Sequence, residues 1–382
     1  MYSPPVSRAS AVSVLISLFG AGAARAADVP AAADFTPQAK VLFRVVACGG
    51  DDPPPAGFDH RLVDAHCREL REAMKEYRRR WSDKATPFLG KIVPRGLPDK
   101  VVYPFGGGDL TTALATFPDA SEITTISLER AGDPRLIDTV KGEPLERSLA
   151  ASRKRIVHLF RLAHSLTHDM SAATHEVLPG QLVYALVALA VNGFEPVSLR
   201  YLRLEPDGAI HYLDDREVAA ADAAKETNRL FANMEMVFKA RGRTVTYRHF
   251  GANLDDKHLG ADPPLLKHLA SKGRVVAMTK AASYLLWWPD FSKIRNYLLA
   301  HMDWMISDST GIPPRFARPA GFEYVTYGRF DGPFFRNDKE QVEAWKRIWD
   351  RPPRRDLPFR FGYPDSRRHA HLVVTRRVAA AK

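Results

Sequence analysis

The stretch from Lys100 to Glu129 constrains the fold more than any other part of the chain. Lys100-Val101-Val102-Tyr103-Pro104-Phe105 is a short apolar run that reads as a buried strand, and it passes directly into Gly106-Gly107-Gly108-Asp109. Leu110 to Phe117 suits a short helix, Pro118-Asp119-Ala120 a turn, and Ile123 to Leu128 a second strand ending at Glu129. Strand, glycine loop, helix and acid-capped strand form the opening of a nucleotide-binding α/β fold. The glycines permit close backbone approach, the helix start favours an anion, and the acid can hold ribose hydroxyls. The sequence lacks G-x-G-x-x-G, and three adjacent glycines serve a ligand-free turn equally well, with Asp109 reading first as an N-cap. The expected class is therefore α/β, assembled from Rossmann-like strand-loop-helix units.

A second stretch echoes the first. Val245-Thr246-Tyr247-Arg248-His249-Phe250-Gly251-Ala252-Asn253-Leu254 repeats Tyr, Phe-Gly, small residues, Asp or Asn, and Leu. A β-rich run follows each, Ile123–Leu128 and then Arg274–Met278, and a long helix follows that. Two diverged α/β halves meeting near residue 220 are one reading; chance similarity over so short a match is the other.

Between these landmarks, Val63, Cys67, Leu70, Met74, Tyr77 and Trp81 recur at helical spacing and predict an amphipathic helix whose Arg and Lys residues form a solvated face. Val41–Cys48 reads as a strand, Leu182–Val191 as a buried strand or short core helix, and Val218–Ala224 and Thr227–Phe238 as helices. Phe291–Met305 reads as one long helix on which Lys293 and Arg295 are solvated.

At the N-terminus, Arg8 precedes an uncharged, mostly apolar stretch to Ala24, and Ala24-Arg25-Ala26 matches the small-x-small pattern of signal-peptide cleavage. Residues 1–26 are expected to be a signal peptide, followed by an N-terminal half over 27–220 and a C-terminal half over 221–382 with a basic tail. The apolar stretch is short for a membrane anchor, and no later segment reads as a transmembrane span. A periplasmic or secreted location follows, and there Cys48 and Cys67 are expected to pair as a disulfide rather than remain buried thiols. Val45-Val46-Ala47-Cys48 also resembles a lipoprotein box, which Arg44 spoils.

With 382 residues, 45% hydrophobic and 26% charged, the chain is globular and long enough for two average domains or one large two-lobed one. Only 2 cysteines exclude a disulfide-dense scaffold and a Cys-built zinc cluster. The net charge of +11 would fall by two with the loss of Arg8 and Arg25. Part of the remainder lies in Arg351, Arg354, Arg355, Arg360, Arg367, Arg368, Arg376, Arg377 and Lys382. Such a tail suits an anionic envelope polymer or plain solubility; no nucleic-acid motif accompanies it.

The clusters Val102-Tyr103-Pro104-Phe105-Gly106-Gly107-Gly108-Asp109, Thr279-Lys280-Ala281-Ala282-Ser283-Tyr284-Leu285-Leu286, Ser307-Asp308-Ser309-Thr310-Gly311-Ile312-Pro313-Pro314 and Thr326-Tyr327-Gly328 resemble those of an uncharacterised group of bacterial proteins. The resemblance spans roughly residues 95–365 and implies one folded unit. It supplies neither substrate nor catalytic residues.

Lys280 and Ser283 are expected where a strand meets a helix, and Asp308, Ser309 and Thr310 where a helix gives way to a turn. A Lys beside a Ser can activate a hydroxyl nucleophile; the structural alternative has Ser283 capping a helix, Lys280 pairing with an acid and Asp308 closing a turn. The candidate ligand-binding set is Gly106, Gly107, Gly108, Glu129, Lys280, Ser283, Asp308 and Ser309. No cofactor and no metal site is assigned. His158, His164, His168, His369 and His371 read as surface residues. His175-Glu176 fails the H-E-x-x-H pattern at Pro179. Three functions remain open: an exported protein binding a small polar or anionic ligand between two halves, an exported hydrolase or transferase using Asp, Ser or Lys, and an envelope-interaction module using its basic surface.

Overall fold

Successive residues of each central strand point into different cores, and that sets the layering. Val101 and Tyr103 enter one hydrophobic cluster while Val102 enters another; Val276 and Met278 likewise oppose Val275 and Ala277. A strand with both faces buried needs helices on both sides, which is the parallel α/β arrangement. The computed structural model describes residues 31–162, 177–329, 339–351, 353, 355–362 and 370–378. Residues 32–382 cluster as one compact unit. The expected signal peptide, His164, His168, His175, Glu176 and His369 lie outside the described residues.

Ten strands form one sheet: β1 (Lys100–Pro104), β2 (Glu122–Ser127), β3 (Glu195–Leu204), β4 (Ile210–Tyr212), β5 (Asn233–Ala240), β6 (Arg243–Gly251), β7 (Val275–Thr279), β8 (Met302–Ser307), β9 (Phe322–Gly328) and β10 (His371–Arg377). Their order is β4-β3-β5-β6-β2-β1-β7-β8-β10-β9. The central strands β6, β2, β1, β7 and β8 run parallel. Antiparallel wings flank them, β5-β3-β4 on one side and β10-β9 on the other. The α/β class is thus seen directly. Strands from either side of residue 220 interleave, with β6 beside β2 and β7 beside β1, so the seams between the expected halves run inside one sheet.

The helices used below are α1 (Thr36–Val45), α2 (His60–Tyr77), α3 (Leu110–Thr116), α4 (Gly180–Asn192), α5 (Ser292–His301) and α6 (Lys339–Trp349). Helix α2 buries Val63, Cys67, Leu70, Met74 and Tyr77, the stripe read from the sequence. Cys67 is disulfide-bonded to Cys48, across a sequence separation of 19. That bond leaves no thiol at Cys48 for the lipoprotein box.

Three element readings change, and one open alternative is settled. Val41–Cys48 belongs largely to α1, which starts with a proline in its first turn and buries Ala39, Leu42, Phe43 and Val45 at helical spacing. Leu182–Val191 is helical, within α4. The helix expected over Thr227–Phe238 stops at Leu230; Met234, Met236 and Phe238 then alternate inward along β5. The helix expected to reach Met305 ends at His301, and Met302–Ser307 is the almost wholly buried β8. In both cases the apolar residues suit either period, and sheet neighbours on both sides decide for the strand. Arg295, expected in solvent, is 5% exposed: Nη1 donates to the carbonyls of Leu286 and Trp288, and the guanidinium stacks over Phe316 at 3.9 Å. Among the described residues no helix is long and apolar enough to cross a membrane.

Candidate functional site

In a parallel sheet the loops after the strands emerge together at one edge, and ligands bind where consecutive connections leave to opposite sides. Here that point is the β1–β7 seam, since the chain leaves β1 towards β2 whereas β7 continues to β8. Gly106, Gly107 and Gly108 follow β1, Lys280 and Ser283 follow β7, and Asp308 and Ser309 follow β8; all are buried. Asp308 therefore leaves a strand rather than the expected helix. Glu129 stands two residues beyond the end of β2, 8% exposed.

The glycine loop is shaped by its own neighbours. A Cβ on Gly108 would lie 2.8 Å from the Tyr184 ring, and one on Gly106 would lie 2.9 Å from the Tyr103 carbonyl oxygen. The close approach that glycine permits is thus made by the protein itself. Phe105 (φ 60°) and Ala281 (φ 57°), the residues opening the two loops, both sit in the left-handed region that side chains avoid. Such strain, of order 1–3 kcal/mol per residue, persists only where surrounding contacts over-determine it and concentrates at functional sites.

Asp109 occupies the N-cap position of α3, but its carboxylate does not cap the helix. It pairs with Lys280, accepts a hydrogen bond from the Tyr103 hydroxyl at 3.0 Å, and accepts one from Thr112 Oγ1 at 2.6 Å. Lys280 Nζ also donates to Thr112 Oγ1 at 3.0 Å and lies 5.2 Å from the Phe361 ring centroid. Lys280 is 1% exposed and Asp109 3%. Burial, followed by the neighbouring Asp109 charge, holds the Tyr103 phenol well above its ordinary value. Lys280 thus faces an acid rather than Ser283, whose hydroxyl is 2.6 Å from Thr310 Oγ1. The Lys–Ser pairing considered from the sequence is not made.

Asp308 anchors the next loop, accepting from the backbone amides of Thr310 at 2.8 Å and Ala281 at 3.2 Å. It is also packed against Gly362, where any side chain would collide with its carboxylate. Beside it, Ser309 Oγ is 2.9 Å from Nε2 of His371. His371, expected at the surface, is fully buried, because antiparallel β10 begins where β8 ends. The sequence offered no signal for this pair beyond a histidine opening an apolar strand. Burial and hydrogen bonding make Ser309 and His371 the nearest approach to a nucleophile–base pair in the set.

On the other side of the glycine loop a second network links α4 to β2 and β6. Gln181 Nε2 donates to the Gly107 carbonyl at 2.8 Å and to the Tyr247 hydroxyl at 3.1 Å. Thr125 Oγ1 lies 2.8 Å from that hydroxyl and 3.0 Å from His249 Nδ1. His249 Nε2 is 2.7 Å from the Glu129 carbonyl oxygen, which fixes that nitrogen as the proton donor. Burial lowers the His249 imidazole to about 4, so it is neutral at pH 7. Two acceptors in this region, Gln181 Oε1 and Glu129 Oε2, are buried and have no hydrogen-bond partner among the described residues. Gln181 escaped sequence reading because α4 is apolar nearly all round and a lone Gln in it carries no motif.

Cys48, Cys67 and His66 also place potential metal-ligand atoms within 4.8 Å of one another, but both sulfurs are taken up by the disulfide. No protein-family model matches the chain, and no curated protein matches it.

Proposed function

We propose that the protein binds a small polar ligand rich in hydroxyl or amino donors, at the edge where β1, β2 and β7 end, in an oxidising compartment outside the cytosol. The observation that carries this reading is the pair of open acceptors, Glu129 Oε2 and Gln181 Oε1, beside a glycine loop whose Gly107 carbonyl and Asp109 carboxylate are partnered. Leaving a buried acceptor unpaired costs about 1–3 kcal/mol, and a ligand donor recovers that loss. Asp109 stands where a phosphate would meet α3 and is balanced by Lys280, and the carboxylate of Glu129 favours a neutral or cationic ligand over an anionic one. The Cys48–Cys67 bond supports the choice of compartment, as does the cleavage pattern ending at Ala26. Native mass spectrometry of periplasmically expressed protein tests the reading: a copurified small molecule is expected, and Glu129→Gln should lower its occupancy. Bare polypeptide mass, together with no thermal shift from a panel of polyols, sugars and nucleosides, would remove it.

A second reading rests on the 2.9 Å contact between Ser309 and His371. In a hydrolase, Ser309 Oγ would attack a carbonyl, its proton passing to His371 Nε2 and then to the leaving group. Fluorophosphonate labelling of Ser309, abolished by His371→Ala, is the expected result; equal labelling of Ser309→Ala assigns the reaction elsewhere.

A further inference from the structure

β9 is the last strand of the sheet, and among the described residues no other strand covers its outer edge. Which of its backbone groups face outward follows from the ladder with β10. The Val378 amide donates to the Gly321 carbonyl at 2.8 Å and the Arg329 amide to the Ala370 carbonyl at 3.1 Å. Phe322 pairs with Arg377 and Gly328 with His371, in one unbroken register. Hydrogen-bonded pairs alternate along an antiparallel ladder, so Gly321, Glu323, Val325, Tyr327 and Arg329 bond inward while Phe322, Tyr324, Thr326 and Gly328 turn their amides and carbonyls outward. The Gly328 amide is already taken, donating to the Arg355 carbonyl at 2.7 Å. For Phe322, Tyr324 and Thr326 no backbone partner stands on that side among the described residues.

Along this edge runs a groove of about 390 Å³, lined by Phe322 to Thr326 of β9, by Ile348 of α6, and by Arg318, Arg351 and Arg355. None of the three arginines has a carboxylate partner among the described residues, whereas Glu323, the only acid in the lining, is paired with Arg376 at 2.5 Å. Natural sheets usually blunt such an edge with a charge, a proline or a covering segment. Here, among the described residues, no strand covers Phe322 to Thr326, and three cations stand beside them.

We propose that β9 is a docking edge for an extended acidic peptide, which adds a strand to the sheet and sets its carboxylates against Arg318, Arg351 and Arg355. Strand addition draws affinity from main-chain hydrogen bonds and specificity from alternate side chains. Both requirements are present: outward amides at every second residue, and positive charge over the groove. A sugar-phosphate or lipid headgroup could satisfy the arginines but not the alternating amides, which is why the peptide is favoured. The site is separate from the β1–β7 edge and does not depend on the ligand proposed there.

The test uses the full mature chain and an acetylated, amidated peptide of three Glu-Val repeats, followed by fluorescence anisotropy. Binding at 20 mM salt is expected, weakening at least tenfold in the double variant Arg318→Glu/Arg351→Glu, whose sites are exposed and leave the fold intact. The same peptide N-methylated at alternate residues keeps every charge but loses the strand edge, and should bind at least tenfold more weakly. Equal binding of the methylated peptide would overturn the proposal in favour of a purely electrostatic polyanion surface. Absence of binding by the parent peptide at low salt would overturn it outright.

Discussion

Lys280 and Asp109 form a single buried ion pair bordered by hydroxyls, whereas the other half of the sheet buries its charge as a continuous ladder. There Glu235, 3% exposed, accepts from Arg200 at 2.6 Å, Tyr212 at 2.8 Å and Arg248 at 2.8 Å. Arg248 bonds on to Glu122, and Glu122 to Lys272, whose ammonium also contacts His268 at 3.1 Å. Each of the three inner charges, Glu235, Arg248 and Glu122, has opposite charges on both sides, and cross-strand register sets two of the contacts: Arg200 opposite Glu235, Glu235 opposite Arg248. Burial pushes the Glu122 carboxyl up, but Lys272 and Arg248 outweigh burial and hold it below the usual range. The ladder thus satisfies itself and needs nothing further. The β1–β7 edge gathers residues from strand ends instead, includes two strained non-glycine positions, and adjoins two unpaired acceptors. Buried charge alone does not mark a site; unsatisfied polarity beside strain does.

Acid should break both regions, and this is the largest effect expected. Burial lowers His66, His249 and His268 to about 4 from 6.5. The unfolded chain therefore binds more protons between those values, and stability is lost as pH falls from 6.5 towards 4. By that linkage each histidine contributes a loss of about 2 kcal/mol between pH 7 and pH 5, for several kcal/mol together. Urea midpoints across that range check it; a flat profile would mean that the imidazoles are solvated. His249→Asn should flatten the slope for the glycine-loop side and His268→Asn for the ladder side.

Lys280→Met leaves the Asp109 carboxylate buried and unpaired, at an expected cost of about 3–5 kcal/mol in equilibrium unfolding. Adding Asp109→Asn should recover much of that loss, because the stranded charge is gone. Glu235→Gln should cost less, about 2 kcal/mol, since Arg248 keeps Glu122 and Arg200 is part-exposed. If the ladder variant proves the more damaging of the two, the contrast between an isolated pair and a shared network fails. Ser309→Ala should cost only about 1 kcal/mol of stability while abolishing fluorophosphonate labelling, which separates a structural hydrogen bond from a reactive one.

Much of the fold was legible in the residues. Val101, Val102 and Tyr103 announce a strand buried on both faces, and Val63 to Trp81 a helix with one apolar stripe, because each pattern is fixed by the geometry of a single element. Leu230, Met234, Val237 and Phe238 misled because their three- and four-residue steps suit a helix, until β3 and β6 supply partners on both sides and the alternation of Met234, Met236 and Phe238 prevails. The candidate residues after β1, β7 and β8 were picked from junctions, and the sheet does gather them at one edge. Asp109 looked like a cap because its partner lay far along the chain.

Local periodicity in the sequence established single elements such as β1 and α2, and composition which two cysteines were available to join. Only the strand order decided that Lys280 meets Asp109 and Thr112, 168 residues from the latter, and that His371 reaches Ser309, 62 residues away. The reason is physical: a repeat of two or 3.6 residues is a property of one stretch of backbone, whereas the partner of a buried charge depends on which strand ends the whole sheet sets side by side.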